Sequence, residues 1–251
     1  MSNTVERFSN RVENYVKYRP GYPTEVLQTF QDEMNLQKTS VIADIGSGTG
    51  ISAGVFLENG NPVFGVEPNE AMRTAAQNFL KDFPDFQSVN GTAENTTLEN
   101  GSVDFVVAAQ AFHWFNQEKS RAEFKRILKD KGFIALLWNE RQLDSTDFLR
   151  GYERLLIKFG SDYEQTRHDN IADETLRNFF KTDFRQESFL NVQSLDSAGL
   201  KGRMLSSSYM PMSGDENFES MIVELERLFA DYEKDSRIEI LYTTNIYYAQ
   251  I

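Results

Sequence analysis

Residues 41–50, Val-Ile-Ala-Asp-Ile-Gly-Ser-Gly-Thr-Gly, constrain the chain more than any other stretch. Val41-Ile42-Ala43 is a short apolar run that reads as a buried strand. It leads into three glycines at every second position, Gly46, Gly48 and Gly50. Glycine lets a backbone turn sharply and lets a ligand approach with no Cβ in the way. Ile51 to Asn59 then reads as a helix ended by Gly60. A strand, a glycine turn and a helix start place free N–H groups at one edge of a sheet.

The rhythm continues beyond the loop. Val63–Val66 reads as a second strand, Glu70–Phe83 as a helix and Phe86–Val89 as a third strand. Val103–Ala109 is a fourth strand, Lys119–Lys129 a helix with Gly132 after it, and Phe133–Trp138 a fifth strand. Strands alternating with helices in this way predict a parallel sheet with right-handed crossovers. Before the loop, residues 1–35 read as polar helix broken at Tyr18-Arg19-Pro20-Gly21-Tyr22-Pro23. Residues 141–182 are helical and charged, and Phe184–Val192 and Ile238–Tyr248 are late strands. Phe218–Tyr232 is an amphipathic helix with Met221, Leu225, Leu228 and Phe229 on one face.

Spacing narrows the ligand. Glu67 stands 21 residues after Gly46, at the end of the second strand, where a carboxylate accepts from ribose hydroxyls. The dinucleotide pattern G-x-G-x-x-G would require glycine where the chain has Ile51. A nicotinamide-dependent oxidoreductase is therefore disfavoured. Asp44, at the mouth of the loop, would repel a pyrophosphate and suits a cationic ligand bearing an ammonium and a sulfonium.

Composition excludes further classes. The 251 residues contain no cysteine, which removes disulfides, thiolate zinc and thiol nucleophiles. Two histidines, His113 and His168, are too few for a histidine-rich metal centre, and no metal is expected. His168 lies in a polar stretch and reads as surface. The formal charge of −12, with no basic block, argues against nucleic acid as partner. No apolar run approaches a membrane span, and residues 1–7 show no secretory pattern, so a cytoplasmic location without membrane association is expected.

The residues Asp44-x-Gly46-x-Gly48-x-Gly50, Glu67-Pro68, Gly91-Thr92-Ala93-Glu94 and Asp104 to Trp114 occur in an order that resembles class I S-adenosylmethionine-dependent methyltransferases. The likeness is to the type 11 small-molecule group, including enzymes similar to trans-aconitate methyltransferase. It implies an α/β fold: a Rossmann-like, doubly wound seven-stranded sheet, mostly parallel with the last strand antiparallel, plus a helical lid. It divides the chain into a helical cap (1–35), a donor-binding core (36–140), an insertion or lid with strand six (141–205) and a C-terminal helix and strand (206–251).

The resemblance also implies roles. Asp44, Gly46, Ser47, Gly48 and Gly50 would hold the methionine part of S-adenosylmethionine, and Glu67 the ribose. Pro68, Met72, Ala93 and Glu94 would flank the adenine, with Gln110 and Ala111 beside the donor. Tyr18 and Arg19 belong to a segment that closes over the donor in such enzymes, and Arg19 could pair with a carboxylate of donor or acceptor. Tyr15, Trp114, Trp138 and Arg141 are candidates for the acceptor pocket, as are Met204, Tyr209, Met210 and Met212. His113, at the carboxyl end of strand four, is a candidate general base. The expected function is methyl transfer to a small organic acceptor at oxygen, nitrogen or carbon, by a monomer or homodimer. The alternative is a protein that binds the donor or its product, S-adenosylhomocysteine, without turnover.

Overall fold

The computed structural model describes residues 11–163 and 173–251. His168 lies outside the described residues. In chain order the elements are α1 (Val12–Tyr18), α2 (Thr24–Met34), β1 (Ile42–Ile45), α3 (Ile51–Glu58), β2 (Val63–Val66), α4 (Glu70–Phe79), β3 (Phe86–Val89) and β4 (Val103–Ala109). After a short 3-10 turn at Phe112–Trp114 come α5 (Gln117–Ile127), β5 (Leu128–Arg141), α6 (Asp147–Phe159), α7 (Asp173–Phe180), β6 (Arg185–Leu195), α8 (Ser197–Leu205), α9 (Phe218–Tyr232) and β7 (Ile238–Gln250).

The seven strands lie in the order β3-β2-β1-β4-β5-β7-β6. Six are parallel and the last, β7, is antiparallel. This is the Rossmann-like sheet that the sequence implies. Registers at the centre are regular: Ile42 pairs Val63 and Phe105, and Asp44 pairs Gly65 and Val107.

The described residues divide into two compact units. The first, here the nucleotide-loop unit, takes Gly21–Asn139, the described part of Asn170–Phe189, and Thr244–Ile251. The second, the arginine unit, takes the described parts of Met1–Pro20 and Glu140–Asp169, and Leu190–Thr243.

In the nucleotide-loop unit, side chains alternate between two cores because successive Cβ atoms leave opposite faces of a strand. Ala43, Val106, Ile134 and Leu136 pack with Phe124 and Ile127 of α5 and with Phe179 of α7. Their neighbours Ile42, Phe105, Val107 and Ala135 pack with Phe30 of α2 and Phe56 of α3. Phe30 and Phe56 are both fully buried and meet edge to face at 4.9 Å. Burying such a side chain contributes about 1.5–3 kcal/mol. In the arginine unit, Tyr152 and Leu156 of α6, Met204 of α8, Met221 and Leu225 of α9, and Tyr242 of β7 form a third core. Leu228 and Phe229 pack against it, in line with the apolar stripe read from the sequence.

The structure moves one boundary substantially. The helix expected at Lys119–Lys129 starts at Gln117 and stops at Ile127, and β5 begins at Leu128 rather than Phe133. Asn116 caps its start, accepting from Lys119 N at 3.1 Å. Gly132 is then a strand residue, not a helix terminator. Lys131 before it has φ 64°, and the β4–β5 register shifts between Val103 and Phe105. A Cβ at Gly132 would lie 2.9 Å from the Asp104 carbonyl and 3.1 Å from that of Lys129, so the bulge requires glycine. No helix among the described residues is long and apolar enough to cross a membrane.

Candidate functional site

The loop after β1 takes its shape from three left-handed glycines: Gly46 at φ 68°, Gly48 at 54° and Gly50 at 86°. The Gly46 and Ser47 amides both donate to the Val66 carbonyl, at 2.8 and 3.2 Å, which ties the loop to the end of β2. The three glycines serve different ends. A Cβ on Gly46 would stand 2.7 Å from the Ala111 Cβ, and one on Gly50 2.6 Å from Leu80 Cδ1. At Gly48 a Cβ would meet only the Gly46 carbonyl, at 4.0 Å. Two glycines are thus demanded by packing, and the middle one borders open space.

Two carboxylates lie with this loop. Asp44 sits within β1 and is fully buried, not at the loop mouth as the sequence suggests. Its Oδ2 accepts from Ser52 Oγ at 2.6 Å, while its Oδ1 has no partner. Burial, helped by the nearby charge of Glu67, pushes its carboxyl up to about 7. Thr49 Oγ1 is likewise buried without a partner. Each unsatisfied buried polar atom costs about 1–3 kcal/mol, which a ligand or bound water would relieve.

Glu67 follows β2 and is half-buried. Its Oε2 accepts from Gly48 N at 3.1 Å and its Oε1 from Asn69 N at 2.8 Å. Burial raises its carboxyl, and the two amides and Arg73 oppose that rise. A carboxylate offers about four lone-pair sites. With two used, Glu67 retains acceptor capacity for two adjacent hydroxyls, as a ribose presents. The residues therefore fit a nucleoside bearing a cation: an acceptor pair at Glu67, open backbone at Gly48 and an unpartnered acid oxygen at Asp44.

The known proteins that this chain is similar to bear on that fit. The profile of the family described as "Methyltransferase domain" matches residues 43–136. That span runs from Ala43 through β5 and contains the loop, both carboxylates and the turn after β4. Residues 43–136 are thus similar to the methyltransferase-domain family.

Two Schizosaccharomyces pombe proteins named as uncharacterized methyltransferases are similar in sequence. One, C25B8.10, is named methyltransferase-like and is 30% identical over 159 residues, covering 63% of this chain and 60% of the relative. The other, C25B8.09, is 28% identical over 223 residues, covering 88% and 86%. The chain thus matches less than two thirds of the length of the first relative. The solved structure of a candidate type II methyltransferase from Anaeromyxobacter dehalogenans aligns with a TM-score of 0.61, over 93% of this chain and 98% of that one. At 17% identity that likeness shows the fold alone.

Within the methyltransferase domain and the rest of its unit, the other residues named from the sequence fall as follows. Pro68 is exposed, and its carbonyl accepts from Arg73 Nη1 at 2.8 Å. Met72 is buried in α4 and donates its amide to Asn69 Oδ1 at 3.2 Å. Ala93 is buried, and Glu94 Oε1 accepts from Asn116 N at 2.8 Å. Gln110 has φ 57°, and its Nε2 donates to the Asn139 carbonyl at 3.0 Å, so its amide is engaged with β5. Ala111 lies against Gly46.

His113 is half-buried in the 3-10 turn, with its ring 4.6 Å from that of Trp114. Trp114 is 51% exposed. Trp138, expected in an acceptor pocket, is a core residue: it is 3% exposed and meets Phe112 edge to face. The reason is its register on β5, which puts it on the same face as Ile134 and Leu136.

Tyr15, Tyr18, Arg19 and Arg141 belong to the arginine unit. Arg141, also expected to line a pocket, is instead committed to an internal network. It pairs with Glu153, donates to Tyr163 Oη at 2.8 Å and lies over the Tyr152 ring. Tyr163 Oη in turn donates to Glu153 at 2.6 Å. Met204 and Met210 are core residues, whereas Met212 is exposed.

Sequence reasoning missed four supports of the site. Ser52 holds Asp44, Asn69 holds both Glu67 and the start of α4, and Arg73 bonds the Glu67 and Pro68 carbonyls. Gly65 is the fourth, since a Cβ there would lie 2.8 Å from Phe86 and 3.1 Å from Ser47 Oγ. Asn69 carried a signal that could have found it: an asparagine just before Glu-Ala-Met is a helix N-cap.

Proposed function

We propose that the protein transfers a methyl group from S-adenosylmethionine to a small organic acceptor, at oxygen, nitrogen or carbon. The observation that carries this reading is the pairing of a buried, unsatisfied Asp44 Oδ1 with a Glu67 whose two oxygens keep spare acceptor capacity beside an open glycine. When bound, the donor supplies a methyl carbon on a sulfonium. The acceptor's electron pair forms the new bond as the carbon–sulfur pair stays on sulfur.

Glu67 would accept from the ribose hydroxyls. Asp44, through Oδ1, would face the ammonium side directly or across one water. Gly48, without a Cβ, would let the ligand touch backbone. Methyl transfer is an in-line displacement that needs alignment first, so these residues act by holding and orienting. His113 is the only histidine among the described residues, and it would take a proton from a hydroxyl or amine acceptor. The formal charge of −12 supports a small acceptor over a nucleic acid.

The test is a calorimetric titration of the purified protein with S-adenosylhomocysteine, with NAD in parallel. Micromolar binding of the first and none of the second is expected. Binding of NAD alone, or of neither by a folded ligand-free sample, would overturn the assignment.

A further inference from the structure

The chain holds three asparagine–glycine pairs, Asn59-Gly60, Asn90-Gly91 and Asn100-Gly101. Such a pair can rearrange with no enzyme. The glycine main-chain nitrogen attacks the asparagine Cγ, and glycine has no Cβ to obstruct the approach. All three pairs lie in the nucleotide-loop unit. Their local chemistry is the same, so only their surroundings separate them.

Two features of the fold govern the attack. The glycine amide must give up its proton, which a hydrogen bond to a carbonyl resists. The asparagine carbonyl oxygen must take on negative charge as the tetrahedral intermediate forms. A cationic donor aimed at that oxygen favours this step.

Asn59 has neither advantage. Its Oδ1 accepts from the neutral Gln31 Nε2 at 3.2 Å, and the Gly60 amide is tied to the Leu57 carbonyl at 2.9 Å. Asn100 has one. Its Oδ1 accepts from Arg126 Nη1 at 2.6 Å, yet the Gly101 amide is tied to the Arg126 carbonyl at 3.0 Å. Asn90 has both. It is exposed, and its Oδ1 accepts from Arg73 Nη1 at 3.2 Å. Among the described residues no group accepts a hydrogen bond from the Gly91 amide.

We propose that Asn90-Gly91 is a self-modification site, where Asn90 becomes aspartate or isoaspartate with water as the only co-reactant. The Gly91 nitrogen loses its proton to solvent base and bonds to Asn90 Cγ. The Cγ–Nδ2 bond then breaks, and ammonia leaves with a proton from water. The ring of the resulting imide is built from Asn90 and the Gly91 nitrogen, so the Gly91 Cα lies outside it. Water opens the imide at Cγ to give aspartate, or at the main-chain carbon to give isoaspartate. The balance is one water consumed and one ammonia released.

The two products differ in consequence. Aspartate sets a carboxylate beside Arg73, which already donates to the Glu67 and Pro68 carbonyls at 2.9 and 2.8 Å. An exposed pair of this kind adds little stability. Isoaspartate instead routes the main chain through an extra methylene next to Gly91, which is buried. A Cβ on Gly91 would lie 2.8 Å from the Thr96 carbonyl and 3.1 Å from that of Asn95, so backbone crowds this point. The isoaspartyl form should therefore be the less stable one. The site stands without the methyl-transfer reading.

The test ages the purified full-length chain in mildly alkaline buffer, folded in one arm and unfolded in concentrated urea in the other. Peptide mapping by mass spectrometry reads the exchange of an amide NH₂ for OH at each pair, with Asn90→Asp protein as the aspartyl standard. In urea the three pairs should convert at similar rates. In the folded chain Asn90 should lead by about fivefold or more, the worth of one amide hydrogen bond. Arg73→Gln should slow Asn90 and leave Asn100 unchanged, and Arg73→Lys should restore part of the rate. The separated isoaspartyl form should melt below Asn90→Asp. The proposal fails if Asn59 or Asn100 matches or outruns Asn90 in the folded chain, if Asn90 stays intact there, or if Arg73→Gln leaves its rate untouched.

Discussion

Replacing Asp44 with asparagine isolates the cost of burying a carboxylate under the glycine loop. In the folded chain this group titrates near 7, against 3.8 for an ordinary aspartate. Below the lower value both folded and unfolded chains hold the proton, and Asp44 contributes no pH dependence. Between the two values the folded chain keeps a proton that the unfolded chain has lost. Each pH unit upward then removes about 1.4 kcal/mol of stability. Above about 7 the cost is complete, at roughly 4 kcal/mol.

An asparagine side chain does not titrate, so the Asp44→Asn variant escapes this slope. It retains an acceptor for Ser52 but places an amide N–H₂ where Oδ1 has no partner, a cost of about 1–3 kcal/mol. Asp44→Asn should therefore gain about 1–3 kcal/mol at pH 8, and at pH 5 should be level with the wild type or up to about 1 kcal/mol less stable. At roughly 2–4 °C per kcal/mol, the gain at pH 8 is a rise of several degrees in melting temperature. Urea unfolding followed by tryptophan fluorescence reads the right unit, because Trp114 and Trp138 are the only tryptophans and both share the nucleotide-loop unit with Asp44. Stability profiles of variant and wild type that run parallel from pH 5 to pH 8 would refute the buried-charge argument.

Glu67→Ala should weaken S-adenosylhomocysteine by about 1.5–3 kcal/mol, the range for hydrogen bonds to a charged group; unchanged affinity in a folded variant removes the ribose assignment. Gly46→Ala should lower the melting temperature more than Gly48→Ala, because it adds a 2.7 Å contact with Ala111 to the left-handed strain of about 1–2 kcal/mol that both share. Gly48→Ala should instead lose ligand affinity, and the reverse ranking would show that the open side of the loop has been misplaced. His113→Gln, assayed on a hydroxyl or amine acceptor, should cut kcat about a hundredfold or more. Full turnover would leave His113 a packing residue against Trp114. Glu123, held down to about 2 chiefly by Arg126, lends stability at neutral pH that is lost as the pH falls through that value; Glu123→Gln should flatten the acid limb of unfolding, and an unaltered limb would deny the pairing its effect.

Local pattern made the parallel half of the sheet legible. β2, β3 and β4 begin and end where apolar runs meet turn residues, and Glu67 was found because position alone places it at a strand end. What stayed hidden depends on partners far along the chain. Nothing near Arg141 announces Glu153 and Tyr163, so a loop arginine read as a pocket residue is in fact half of an internal ion pair. Trp138 looked like a ligand-facing aromatic for the same reason: its face follows from the β5 register, and the bulge at Lys131–Gly132 that sets this register reads locally as a helix end. Arg19 is the extreme case: just after α1, it is bonded to a turn beyond α8, 187 residues away.

The glycine loop shows why a motif can be right about place and incomplete about cause. Its spacing locates a left-handed turn, yet Gly46 and Gly50 are glycines because Ala111 and Leu80 leave no room for a Cβ. Those two would be required in a loop that bound nothing. Only Gly48 borders open space, and it is the Gly48 amide that Glu67 holds. One carboxylate thus fixes the loop and still keeps lone pairs for a ligand, so removing Glu67 should loosen the loop as well as delete an acceptor. The two effects separate by experiment: Glu67→Gln, which can place an amide oxygen toward Gly48, should restore the melting temperature more completely than it restores ligand affinity.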